Sequence, residues 1–179
     1  AGVVYNGGAA VPCSKLQGAC NPHGNDRYSH RSLLDVTNTE EERNMDAMKK
    51  FVQQDQFARH LGVETLEYGS GSARARMEIG KHHRNSAGMV HGGAIFSLAD
   101  AVFSIASNSH GTLAVAINVS ISFFKSAAGG MLTATAEEVS FNPKLATYLI
   151  TVTDDGGNKI ALFQGTVYRK KDSIADLIT

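Results

Sequence analysis

The feature that most constrains this chain is the stretch from Gly92 to Asn108, in which nearly every side chain is apolar. Its polar exceptions are spaced three, four and three residues apart: Ser97, Asp100, Ser104 and Ser107. That spacing places them on a single stripe of an α-helix. A helix that is apolar around the rest of its circumference is buried on most sides. We therefore predict a helix over residues 92–108 that is covered except along this polar stripe.

Strand-like runs lie on both sides of the predicted helix. The predicted strands span residues 63–68, 73–79, 113–124, 132–141, 146–153 and 159–169. Within the second, small or apolar residues alternate with charged ones, which predicts one buried and one exposed face. Short turns rich in Gly and Asn separate the last four runs, which predicts an antiparallel meander. We therefore expect an α+β domain with the helix covering one face of the sheet.

The first 44 residues differ from the rest: from Ala1 to His30, Gly, Asn, Ser and Pro are frequent and no period is sustained. We predict a leader over residues 1–44, irregular or not native, and a folded domain over residues 45–179. The codons for residues 40–43 are purine-rich, as in a bacterial ribosome-binding site, so natural translation is expected to start at Met45. In the domain, Asp46 is expected to cap a helix that runs to about His60.

Composition excludes several classes of protein. Lys plus Arg and Asp plus Glu both number 17, which argues against a nucleic-acid partner. No run of about 18 apolar residues occurs, so neither a membrane span nor a membrane partner is expected. Cys13 and Cys20 cannot form a disulfide framework for the whole fold, which favours the cytoplasm. Their spacing with His23 and His30 matches no common zinc pattern, so no metal site is predicted.

Asp100 is the one carboxylate within the apolar helix. Burying it without a partner would cost several kcal/mol. One interpretation is a buried acid that is satisfied by hydrogen bonds from neighbouring Ser side chains or the backbone. The other is a general base or nucleophile that is held in a mostly dry pocket.

The start of the same helix favours the functional interpretation. Gly92 and Gly93 present backbone N–H groups at a helix N-terminus, without a Cβ to keep a ligand away, and such groups can bind an oxyanion. The alternative is that these glycines only allow a tight turn or a close contact between helix and sheet. His91, directly before them, either orients this turn or donates a hydrogen bond to a carbonyl group.

The spacing between these groups also predicts an assembly. Asp100 lies seven residues beyond Gly93, or about 10 Å along a helix axis. A base and an oxyanion donor must each come within about 3 Å of the reacting atoms, so one helix spans the gap poorly. Two antiparallel copies of the helix would bring Asp100 of one chain near Gly92 of the other. We therefore predict a symmetric homodimer with two shared sites.

A long motif runs from His83 to Gly93 and reads His-x-Asn-x-x-Gly-x-x-His-Gly-Gly, with Ser-Leu-Ala-Asp following at residues 97–100. It resembles the hotdog-fold acyl-CoA thioesterases, most of all the phenylacetate-degradation (PaaI-like) type, over about residues 45–170. The resemblance implies an antiparallel sheet wrapped around a long central helix, in dimers that usually pair into a homotetramer. It also implies hydrolysis without a metal or a redox cofactor. Coenzyme A enters as part of the substrate and is not a cofactor.

The resemblance implies roles for individual residues. Asp100 matches the catalytic carboxylate, and Gly92 matches the backbone N–H that polarises the thioester carbonyl. Asn85 matches a polar residue that positions the thioester or the water, and His91 matches the histidine that supports the loop. The residues expected to contact substrate are Gly93, Ser97, Asn118, Phe123 and Lys125.

Two positions depart from the pattern of the relatives. Ala116 stands where some relatives carry a hydroxyl that holds the water, and Asn118 or a helix Ser is expected to substitute for it. Lys125-Ser126 replaces a common Arg-Pro, which keeps the cation and loses the rigid turn. Cations expected to meet the phosphates of coenzyme A are Lys125, Lys144, Arg169 and Lys170.

The expected activity is hydrolysis of small aromatic, phenylacetyl-type CoA thioesters. A second enzymatic interpretation is a thioesterase for medium-chain, benzoyl-type or naphthoyl-type acyl groups. A third, from another class, is a non-catalytic acyl-CoA-binding protein, which would fit the missing hydroxyl at Ala116.

Overall fold

The computed structural model describes residues 3–6, 9–12 and 30–178. The chain divides into two compact units, Ala1–Thr39 and Glu40–Thr179. In the first unit, strands β1 (Val3–Asn6) and β2 (Ala9–Pro12) form an antiparallel hairpin. Cys13, Cys20 and His23 lie outside the described residues. Within the described ranges, no group of three or more potential ligands is arranged to hold a metal ion.

Two helices precede the main sheet, α1 (His30–Gln54) and α2 (Gln56–His60). The predicted single helix from Asp46 to His60 is therefore wrong at both its start and its middle. Residues 30–45 contain neither Gly nor Pro, so no helix-breaking residue separates the observed start at His30 from the predicted start at Asp46. The break comes at Asp55, whose Oδ1 accepts a hydrogen bond from the Ala58 N–H (2.9 Å) and starts a new helix. The predicted boundary between residues 44 and 45 stays a prediction.

The main sheet has six antiparallel strands in the order β3-β4-β6-β7-β8-β5. Their bounds are β3 Val63–Gly69, β4 Ser72–Glu78, β5 Thr112–Phe123, β6 Met131–Phe141, β7 Leu145–Thr153 and β8 Lys159–Ser173. The predicted meander is confirmed for β6 to β8. It is wrong for β5, which pairs with β8 at the far edge, so residues 124–130 cross over rather than close a hairpin. The short helix α4 (Ile174–Leu177) follows β8.

Helix α3 (Gly92–Asn108) has the bounds that the apolar pattern predicts, and it packs on one face of the sheet. Leu98, Ala99 and Val102 on this helix are completely buried. A Cβ at Gly165 on β8 would lie 2.5 Å from Phe103 Cζ, so only glycine lets the aromatic ring rest against the strand. No helix of the described residues is long and apolar enough to cross a membrane.

Strand β5 is an unusually exposed edge. Among the described residues it pairs only with β8, and a register shift between Ala116 and Asn118 marks a β-bulge at Ile117. Side chains on both of its faces are exposed from residue 115 to residue 120, and Ile117 is 58% exposed. An apolar strand with one free edge is a surface that readily pairs with another chain.

Candidate active site

The N-terminus of α3 is fixed by its own cap residue. His91 has extended backbone (φ −67°, ψ 134°), and its Nδ1 accepts a hydrogen bond from the Gly93 N–H (2.8 Å). Because Nδ1 accepts, the proton of the neutral ring lies on Nε2. His91 therefore caps α3, and its Nε2–H makes no hydrogen bond to any residue that the structure describes.

This cap distinguishes the two glycines. The Gly93 N–H is used by His91, and the Gly93 C=O accepts from Ser97 Oγ (2.8 Å). Both predicted substrate contacts therefore use their donors within the helix start: the Gly93 N–H donates to His91 Nδ1, and the Ser97 hydroxyl donates to the Gly93 C=O. The Gly92 N–H has no hydrogen-bond acceptor within the described ranges. Gly92 is therefore the free donor at the positive end of the helix.

A cavity of about 290 Å³ opens beside Gly92. Phe123 and Lys125, two of the predicted substrate contacts, line it together with Val90 and Ile95. A Cβ at Gly92 would lie 3.3 Å from Phe123 Cζ, so the ring rests directly on the helix start. The end of β5 thus brings an aromatic ring, and the start of the crossover brings a cation, to the free N–H group.

Asn85 lies in the loop that leads into α3. Its Oδ1 accepts hydrogen bonds from the N–H groups of Ala87 (3.0 Å) and Met89 (3.1 Å). The side-chain oxygen therefore shapes the loop, and Nδ2 is the group left to meet a thioester or a water molecule. Gly88 at the loop tip has φ +77°, the left-handed conformation that favours glycine.

Asp100 is half-buried on α3, about two turns beyond Gly92. Its carboxylate makes no hydrogen bond to any residue that the structure describes. Ser97 and Ser107 instead donate to the backbone carbonyls of Gly93 and Ser104. The interpretation of Asp100 as an acid satisfied by neighbouring serines is therefore not what the structure shows.

A larger cavity of about 550 Å³ lies along the second half of α3, beginning at Ala101, the residue after Asp100. Ala101, Ser104 and Ile105 of α3 form one wall, and Phe51 and Val52 of α1 contribute apolar surface opposite. Asp55 and Arg59 add charges from the loop before α2 and from α2 itself. The sequence did not predict this cavity, because its walls come from elements that only the tertiary fold brings together.

The remaining predicted contacts lie farther away. Asn118 is exposed on the edge strand β5, and Ala116 lies just before it across the bulge. The guanidinium of Arg169 donates to Asn142 O (3.2 Å) and Thr112 Oγ1 (3.0 Å) and stacks on the Phe141 ring at 4.0 Å. Arg169 is therefore held by packing at the opposite end of β5 from Phe123, and its expected phosphate contact stays a prediction.

The electrostatics of Asp100 predict an acid limit to activity. Burial raises the pKa of Asp100 above its ordinary value of 3.8, and the negative charge of Asp55 raises this pKa further. A protonated carboxyl group cannot accept a proton, so kcat/KM is expected to fall as the pH drops through this raised pKa. Asp55→Asn should shift the fall to lower pH, because Asn keeps the helix cap and removes the charge. The matched control Asp46→Asn, an equal charge change on exposed α1 surface, should leave the profile in place; an equal shift in both variants would contradict the assignment.

Comparison with known proteins adds sequence relatives. Residues 87–161 match the family model described as the thioesterase superfamily. A putative esterase of Archaeoglobus fulgidus is 50% identical over 110 residues, which are 61% of this chain and 71% of the relative. The acyl-coenzyme A thioesterase PaaI of Escherichia coli K12 is 34% identical over 116 residues, which are 64% of this chain and 83% of the relative.

Solved structures agree with these relatives. The structure of the E. coli PaaI protein from the phenylacetic acid degradation operon matches with a TM-score of 0.70 and 30% identity, covering 74% of this chain and 97% of that one. A mutant of the phenylacetic acid degradation protein PaaI from Thermus thermophilus matches with a TM-score of 0.62 and 37% identity, covering 65% of this chain and 100% of that one.

Proposed function

Because this chain belongs to the thioesterase superfamily and is a thioester hydrolase of the hotdog fold, we propose that it cleaves acyl-CoA thioesters with small aromatic, phenylacetyl-type acyl groups. The resemblance carried by the motif from His83 to Gly93 is confirmed at the level of family and fold. The observation that carries the proposed chemistry is a half-buried carboxylate without a hydrogen bond from the described residues, on the same helix as a free backbone N–H.

The proposed reaction follows from these two groups. Asp100 takes a proton from water while the water oxygen attacks the thioester carbon, or the carboxylate attacks this carbon itself. The carbonyl oxygen becomes an oxyanion, which the Gly92 N–H stabilises, aided by the His91 Nε2–H. The intermediate then expels coenzyme A as a thiolate, which takes up a proton. Where water attacked, the free acid remains; where Asp100 attacked, a mixed anhydride remains, and water hydrolyses it to the free acid and the Asp100 carboxylate. This hydrolysis consumes only water and uses no cofactor.

We propose that each site is shared between two copies of the chain. Asp100 and Gly92 of one helix are about 12 Å apart along the axis at 1.5 Å per residue, which is too far for both to reach one carbonyl group. The exposed apolar edge β5 offers the surface on which a second copy pairs. In that homodimer, Asp100 faces Gly92 of the partner subunit. A homotetramer of two such dimers is the assembly that the family resemblance favours.

A shared site predicts that two inactive variants restore each other. In a mixed dimer of Asp100→Asn and Gly92→Pro chains, one of the two sites combines an intact carboxylate with an intact N–H. An equal mixture after subunit exchange is therefore expected to regain about a quarter of wild-type activity, because about half of the dimers are mixed. Release of free thiol before and after exchange measures this recovery. Activity that stays at the level of the separate variants would place both groups in one chain.

The acyl preference is proposed from the two cavities. The larger one, between Phe51 and Val52 of α1 and the second half of α3, has room for an aromatic ring, while Lys125 beside Gly92 suits a phosphate of coenzyme A. A panel of phenylacetyl-, benzoyl-, naphthoyl- and medium-chain acyl-CoA, monitored by free thiol, tests this preference. The highest kcat/KM is expected for phenylacetyl-CoA. A higher value for another acyl group would favour the second enzymatic interpretation, and binding without thiol release would favour the non-catalytic one.

A further inference from the structure

His83 begins the sequence motif, yet none of the roles described above uses it. It is 3% exposed and ends a 3₁₀ turn, Lys81–His83, that follows β4. Its Nδ1 accepts a hydrogen bond from the Gly80 N–H (3.0 Å), so the proton of the neutral ring lies on Nε2. Nε2 is buried and has no hydrogen-bond partner among the residues that the structure describes. A buried polar atom left in this state needs a reason.

The backbone next to this ring forms a small hairpin, which we call the site loop, residues 83–91. The His83 C=O accepts from the His91 N–H (2.8 Å), and the Asn85 N–H donates to the Met89 C=O (2.8 Å). Between these two bonds, Arg84 and Val90 form an antiparallel bridge. The place of His83 therefore sets the place of Asn85 along the chain and of His91 across the hairpin.

We propose that His83 is a positioning residue for the thioesterase reaction, one that anchors the site loop through Nδ1 and does so only as a neutral imidazole. A proton on Nδ1 would point at the Gly80 N–H, and an attractive contact would become a repulsive one. The turn that carries His83 would then move, together with Asn85 and with the His91 cap on α3. This inference rests on the proposed roles of Asn85, His91 and Gly92.

The surroundings of the ring support a neutral state at neutral pH. Burial lowers the pKa of His83 below its ordinary value of 6.5, and the charge of His82, whose ring centroid lies 3.8 Å away, lowers this pKa further. The backbone carbonyls of Leu61 and Glu78 lie near enough to favour the protonated ring, although neither forms a hydrogen bond with Nε2. Among the described residues, His82 is the titratable side chain whose charge acts on the ring. His83 therefore gains a proton only in acid, where loss of the anchor should add to the protonation of Asp100.

The test compares two substitutions at His83 with one next to it. His83→Asn places an uncharged acceptor near the position of Nδ1, whereas His83→Leu fills the space without an acceptor. His82→Asn, at the exposed neighbour, is the matched control. His83→Leu is expected to lower kcat by about 10- to 100-fold with little change in KM, since misplaced catalytic groups cost this much. His83→Asn should keep kcat within about threefold of wild type, and His82→Asn should do the same.

The pH profile separates positioning from simple loss of structure. On the acid side, log kcat of the wild type is expected to fall with a slope of about two, for Asp100 and His83, and that of His83→Asn with a slope of about one. Nitrogen NMR of the ring should show Nδ1 unprotonated at neutral pH, a readout that does not depend on activity.

Normal kcat in His83→Leu, loss of kcat in folded His83→Asn, or a protonated Nδ1 would each overturn the proposal. If His83→Leu does not fold, the slopes of wild type and His83→Asn decide, and equal slopes overturn it. Failure of the proposed catalytic roles shows separately, as normal turnover in Asp100→Asn.

Discussion

Asp100→Asn is expected to lower kcat by at least about 100-fold while leaving the homodimer intact. The amide has nearly the shape of the carboxylate, but it cannot accept a proton from water or attack a thioester. Free-thiol release from an acyl-CoA measures turnover, and size-exclusion chromatography measures the assembly. Asp46→Asn controls for the loss of one negative charge. Turnover near that of the wild type would refute the assignment of Asp100.

The same substitution is expected to stabilise the folded protein at neutral pH. Since burial raises the pKa of Asp100, the folded state binds more protons than the unfolded state between the ordinary and the raised pKa. The free energy of unfolding therefore falls as the pH rises through this window and stays lower above it. Asn carries no such cost, so the melting temperature of the variant should exceed that of the wild type at pH 7. The difference should disappear at a pH below the ordinary pKa, where both side chains are neutral.

Gly92→Pro is expected to lower kcat by about 100- to 1,000-fold, because it removes the one backbone N–H assigned to the oxyanion. Proline is favoured at the first position of a helix, where its missing N–H breaks no helical hydrogen bond. His91, the residue before it, already has the extended backbone that proline requires. The helix should therefore fold around the substitution, which circular dichroism and thermal unfolding can verify.

Gly92→Ala is the matched control for this substitution. It retains the N–H but adds the same Cβ, 3.3 Å from Phe123 Cζ, so any effect of crowding the aromatic ring appears in both variants. The ratio of kcat between Ala and Pro isolates the contribution of the hydrogen-bond donor. Equal kcat values in the two variants would assign the loss to crowding and remove Gly92 from the oxyanion site.

Local patterns predicted much of the fold. The bounds of α3 were correct because an apolar run that starts at two glycines leaves few other places for a helix to begin or end. The prediction that β4 has one buried face was correct, because the alternation of small and charged residues is a local signal. Ala75 and Met77 on this face are completely buried. The start of α1 at His30 was missed, since the composition upstream suggested an irregular leader.

The parts that depend on distant contacts could not be read from the sequence. Pairing of β5 with β8 rather than β6 is set by where α3 carries the chain across the sheet, which no short-range pattern encodes. The hydrogen bond between His91 Nδ1 and the Gly93 N–H depends on the side-chain conformation of His91. From the sequence, His91 could be predicted only to support the loop. Asp55 raises the pKa of Asp100 and lies at the break between α1 and α2. The sequence pattern predicted one continuous helix there, so this effect could not be foreseen.

The bulge at Ile117 limits how this protein can change in length. Side chains along a strand alternate between faces, and the extra residue before Asn118 determines which face each later residue occupies. Deleting one residue between the bulge and Phe123 would turn that ring and Lys125 away from the helix start. The exposed turn between β7 and β8 lines neither cavity, so an insertion there leaves Phe123 and Lys125 in place. Evolution and protein engineering are thus free to lengthen this turn, while this short piece of edge strand must keep its residue count.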